Sequence, residues 1–113
     1  MIIKNKISKE ELENIFENSF KTMAKIVVDV ERNILSLGYE FHIDCAEELV
    51  DDGSLQKNLW GANLYRHNFS LDFVSLINIK PMEGSRSMEI QDPVIKRKVE
   101  EIIKKLLCNW NVG

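Results

Sequence analysis

Asn63 and Asn78 are amides set inside runs that otherwise read as strands, Trp60-Gly61-Ala62-Asn63-Leu64-Tyr65 and Phe73-Val74-Ser75-Leu76-Ile77-Asn78-Ile79-Lys80. Amides are uncommon in strands. Two of them on neighbouring strands can face each other and line a polar pocket roofed by Trp60 and Tyr65; the plainer alternative is a pair of satisfied buried amides. Arg86, Ser87 and Glu89 follow in a long polar loop directly before a helix start. A guanidinium fork beside free helix amides suits a small anion or a substrate loop. The competing explanation is an ion pair of Arg86 with Glu89 or Asp92 that pins the loop, and those two acids already supply negative charge there. The candidate ligand- or partner-binding residues are therefore Trp60, Asn63, Tyr65, Asn78, Arg86, Ser87 and Glu89.

Other reactive types are present without a supporting pattern. His42 and Asp44, with Asp29 and Glu31, offer the imidazole and oxygen ligands that zinc, manganese or iron accept. The chain has only two histidines, however, and no repeated ligand spacing. No metal and no cofactor is expected. Cys45 stands three residues after His42 near a helix start, where a thiol can be activated, but a cysteine packed beside Leu49 is the simpler reading. Ser36, Ser70 and Ser75 lack the setting of a nucleophile elbow. No catalytic set is assigned.

The elements that must position these residues are plainer. Ser8-Lys9-Glu10-Glu11 is a capping box, flanked by Ile7 and Leu12 as a hydrophobic staple. Leu12, Ile15, Phe16, Phe20 and Met23 recur at helical spacing, which predicts a first helix over about residues 9 to 23. The β-branched cluster Ile26, Val27, Val28 and Val30 predicts a strand. Arg32-Asn33 then forms a tight turn, and residues 34 to 37 return as a second strand; the rival is one long helix to Leu37. Gly38 opens a bend, and residues 39 to 43 extend the strand. Asp44 is read as the N-cap of a short acidic helix stopped by Gly53. Asp51 and Asp52 sit unfavourably at its C-terminus and call for a basic neighbour. Residues 60 to 66 are the third strand. Residues 73 to 80 are the fourth, apolar on both faces and so expected to be central. Asp92 and Pro93 start the last helix as N-cap and first residue. Its apolar stripe runs through Ile95, Val99, Ile102, Ile103, Leu106, Leu107 and Trp110.

The order α-β-β-α-β-β-α predicts an α+β fold: a mostly antiparallel four-stranded sheet with helices mainly on one face. At Leu59-Trp60-Gly61-Ala62-Asn63-Leu64-Tyr65 and Arg86-Ser87-Met88-Glu89-Ile90-Gln91-Asp92-Pro93 the chain resembles a small prokaryotic family catalogued as domain of unknown function 5674. The likeness also takes in Glu47 to Ser54 and Ser75 to Pro81. Members often have glycine where this chain has Asn33, and asparagine where it has Ser85. The resemblance implies domain limits and no activity.

At 113 residues the chain is expected to be one globular domain. No apolar run approaches a membrane span, and neither a signal peptide nor a disulfide framework is visible. A cytoplasmic setting with two free thiols, Cys45 and Cys108, is expected. The net charge of −3 divides unevenly, −6 over residues 1–53 and +3 over residues 54–113. That division suits head-to-tail self-association or an anionic partner on the basic half. Nucleic acid is disfavoured by the overall acidity. The leading expectation is a non-enzymatic interaction module that self-associates, with a homodimer in solution. The alternative is a small enzyme or ligand-binding protein whose pocket combines Trp60, Asn63, Asn78, Arg86 and Glu89, acting on an unidentified small molecule or protein partner.

Overall fold

A computed structural model describes residues 1–19, 21–74 and 92–107. The strand run built on Ile26, Val27 and Val28 becomes β2 (Met23–Asp29), and its partner becomes β3 (Ile34–Leu37). They pair antiparallel, Val28 opposite Leu35 and Ile26 opposite Leu37, so the hairpin stands and the single long helix does not. A further strand, β1 (Ile2–Ile3), pairs with β3. On the other side β2 pairs with β4 (Leu59–Tyr65), and β4 with β5 (Leu71–Val74). Among the described residues the result is a five-stranded antiparallel sheet in the order β1-β3-β2-β4-β5, one strand more than expected. Two residues are too few to show strand alternation, which is why β1 left no signal in the sequence. The middle position belongs to β2, whose residues 26 to 29 are buried whichever face they point to. The strand through Phe73, expected there, stands at the end of the order, and its expected continuation over residues 75 to 80 lies outside the described residues.

Among the described residues three helices pack against the sheet. Helix α1 (Lys9–Glu17) starts with the capping box intact: the Glu11 amide donates to Ser8 Oγ at 3.1 Å and the Ser8 amide to Glu11 Oε1 at 3.3 Å. It ends six residues earlier than the apolar spacing suggested. The Asn18 side-chain amide donates to the Asn14 carbonyl at 2.8 Å and Ser19 Oγ to the Ile15 carbonyl at 2.7 Å, closing the helix with their own side chains. Met23, which fits a helical stripe equally well, instead opens β2 opposite Tyr65. Helix α3 (Pro93–Leu106) starts as predicted: Asp92 Oδ1 accepts from the Val94 amide at 2.9 Å, with proline at the first turn. The helices α1 and α3 share one sheet face, where Phe16, Leu12 and Ile103 meet Ile26, Val28 and Leu35.

Helix α2 (His42–Asp51) covers the opposite face, with Cys45, Ala46 and Leu49 on Val27, Ile34 and Leu59. It begins at His42, two residues before Asp44, and its N-cap is Phe41, whose side chain makes no capping bond. Asp44 therefore lies inside the first turn, where its charge faces the positive helix end instead of capping it. Gly38, at φ +101°, turns the chain off the sheet, so residues 39 to 43 do not prolong β3. Gly53, at φ +113°, ends α2. Its amide reaches the Val50 carbonyl at 3.0 Å and the Ser54 amide reaches the Leu49 carbonyl at 2.9 Å, the two bonds of a Schellman stop. The β2–β3 turn is wider than a two-residue turn: Asp29 Oδ1 accepts from the Glu31 and Arg32 amides at 2.9 and 3.0 Å, and Asn33 takes φ +58°.

Candidate functional site

The strand β4 carries three of the candidate residues, and the pleat separates them. Trp60 packs with the α1–α3 core, opposite Val28 in the register. Asn63 and Tyr65 point to the α2 face, so Trp60 does not roof the space beside Asn63. Tyr65 donates to Asp72 Oδ2 at 2.7 Å across the β4–β5 pair. The Asn63 amide neighbours the His42 ring, yet its Oδ1 is buried without a well-formed hydrogen bond among the described residues. His42 Nε2 lies 3.0 Å from the Ala62 carbonyl, which puts its proton on that nitrogen. Burial pushes the imidazole pKa down and Lys25 adds to this; the Ala62 carbonyl and the Asn63 side chain pull the other way. The remaining candidates, Asn78, Arg86, Ser87 and Glu89, lie outside the described residues, as do Cys108 and Trp110.

Among the described residues no three histidine, cysteine or acidic side chains converge as metal ligands. Cys45 is fully buried, and burial raises its thiol to about 11, so it is a packing residue and not an activated nucleophile. Glu48 gathers the polar groups above it. Its carboxylate accepts from Ser36 Oγ at 2.6 Å, from Tyr39 Oη at 3.2 Å and from the Met1 amine at 2.7 Å. Burial alone would raise its pKa; these three donors outweigh that and leave it lowered. A groove of about 480 Å³ opens beside this network, between α1 and the bend at Gly38. Its apolar floor is Ile7, Ile15 and Leu37, and its rim includes Glu11, Asn18 and Tyr39. Glu11 is held by Ser8, Asn18 by the Asn14 carbonyl and Tyr39 by Glu48, so these rim groups already serve the fold.

The outer faces of the helices are different. On α2, Ile43 and Val50 stand seven residues apart on one stripe and are 43% and 39% exposed, and Phe41 at the helix start is 54% exposed with Lys25 over its ring. Asp44, Glu47 and Asp51 flank that stripe. On α3, Val94, Arg97, Lys98, Glu101 and Lys105 repeat at helical spacing and are all exposed. By residue type alone the α2 acids read as a plain solvated face. The spacing of Ile43 and Val50 around Glu47 was the available signal for more. The basic neighbour expected near the end of α2 is present: Arg32 and Lys4 meet Asp52 at 2.8 and 3.1 Å, and Arg32 also bonds Ser54 Oγ at 2.8 Å.

These features define a compact α+β domain with a helix layer on each face of an antiparallel sheet. No helix among the described residues is long and apolar enough to cross a membrane. The chain belongs to the family described as protein of unknown function (DUF5674), which matches residues 1–106. No curated protein and no solved structure matches it.

Proposed function

We propose that this domain is a non-enzymatic interaction module that self-associates, with a homodimer as the first step. The observation that carries the reading is the α2 surface. A helix whose inner side is fully buried keeps Ile43 and Val50 exposed on its outer side, with Phe41 at its start. Apolar side chains grouped in this way on a charged surface mark an interaction site more often than scattered ones do. The groove supports the same reading, since rim groups already bonded within the chain are poorly placed to orient a substrate. A reduced, cytoplasmic setting suits the buried free thiol of Cys45. Light scattering over a range of protein concentrations tests the proposal, and Ile43→Asp should shift the population to monomer. A wild-type chain that stays monomeric at high micromolar concentration contradicts it.

A second reading is supported by Asn63, whose buried Oδ1 lacks a well-formed partner among the described residues. An orphaned buried acceptor is costly unless something meets it. On this reading Asn63 and Tyr65 belong with Asn78, Arg86, Ser87 and Glu89 in a small ligand pocket, either of a binding protein or of an enzyme. Arg86→Ala should then abolish ligand binding found by a small-molecule screen while leaving melting nearly unchanged, because an exposed pair is worth roughly 0–1 kcal/mol. Melting that falls with binding intact would give Arg86 a structural role.

A further inference from the structure

We infer that the self-association is head to tail: the outer face of α2 on one copy docks on the outer face of α3 on the next. This deepens the self-association reading and rests on it. Helix α2 carries four acids and no lysine or arginine, whereas α3 carries five bases against two acids. Some of this charge is used within the chain. Glu48 is held by the Met1 amine, Lys104 pairs with Glu100, and Lys96 lies over the Phe73 ring. What remains outward on α2 is Glu47 and Asp51, with the half-buried Asp44, around Ile43 and Val50. What remains outward on α3 is Arg97, Lys98 and Lys105, with Val94 and a single acid, Glu101, on the same stripe. An apolar stripe edged by acids meets a stripe edged by bases, which is the complementarity that fixes register and excludes wrong pairings.

The same charges argue against a symmetric contact. Two α2 faces brought together about a two-fold axis would set Glu47 near Glu47 and Asp44 near Asp51, with like charges opposed at a desolvated centre. Two α3 faces would oppose Arg97, Lys98 and Lys105 in the same way. The layer order supplies the geometry for the other choice. Both helices lie over β2 and β3, α2 on one face of the sheet and α3 on the opposite one. The two complementary surfaces therefore look out from opposite sides of the molecule. A contact between them is heterologous, so a dimer keeps one free surface of each kind and adds further copies unless a ring closes.

Charge reversal separates the possibilities. Two variants of the whole chain are compared with wild type by light scattering at low salt: Glu47→Lys with Asp51→Lys on α2, and Arg97→Glu with Lys105→Glu on α3. Head-to-tail docking predicts that each variant alone associates about tenfold or more weakly than wild type. It also predicts that an equimolar mixture regains association, because each reversed face then meets an opposite charge on the other variant. The regained association also shows that both variants are folded. If the α3 variant associates like wild type while the α2 variant does not, the contact is α2 on α2: the head-to-tail inference falls and self-association survives. If wild type itself is monomeric, the self-association reading falls, and this inference with it.

Discussion

His42 and Asp29 are the side chains in which burial and polarity conflict most directly. Burial lowers the His42 pKa, so the folded protein disfavours the imidazolium. The unfolded chain then binds the proton more readily, and stability falls as pH drops from about 6.5 toward the lower folded value. The expected melting curve declines over that acid limb, and His42→Gln, which cannot titrate, should flatten it; a wild-type melting temperature that is level between pH 7.5 and 5, values of about the ordinary histidine range, would contradict this. Glu48 is the opposite type of group. Its pKa is lowered by its donors, so its contribution is present above the ordinary carboxylate value and lost as pH falls through the folded one. Asp29 is fully buried and holds two turn amides on one oxygen. Asp29→Ala leaves both amides without that acceptor and should cost about 1–3 kcal/mol in denaturant melts.

At the scale of elements, the last helix and the stop of α2 are the firmest tests. Ile103 is fully buried between α3 and the sheet. Ile103→Ala should cost about 2–5 kcal/mol, and a loss below about 0.5 kcal/mol, the range of surface substitutions, would remove it from the core. Gly53→Ala forces a Cβ into φ +113° and should destabilise by about 1 kcal/mol or more. Both elements were legible in the sequence because each rests on local chemistry: Asp92 and Pro93 at a start, a glycine at a stop. The capping box of α1 and the β2–β3 hairpin were legible for the same reason. The misread boundaries were settled by competing local bonds. Met23 fits a helical stripe, but Asn18 and Ser19 close the helix before it is reached. Asp44 has the residue type of an N-cap, but the N-cap of α2 is Phe41, where no side-chain signal exists. β2 and the Phe73 run both carry apolar residues on both faces, and only pairing partners decide which of them takes the middle. Strand alternation sends Trp60 and Asn63 to opposite faces of β4, so the two do not share one pocket wall.

The whole molecule is a layered stack, α2 above the sheet and α1 with α3 below, with acids on the outer face of α2 and mostly bases on the outer face of α3, beside the acidic α1. Internal ion pairs use part of the charge imbalance between the chain halves: Arg66 meets Glu17 at 2.6 Å and Glu13 at 3.4 Å, tying β4 to α1. On the proposed reading the side chains left outward on α2 and α3 act between copies, through a field that salt screens within about 10 Å at 0.1 M. The average mass in solution, followed by light scattering against protein concentration at low and at moderate salt, decides whether copies of this chain associate. Self-association through these surfaces predicts a mass that rises from monomer through dimer with concentration, and less steeply when salt is added. A monomer mass at every concentration and in both salts would contradict it.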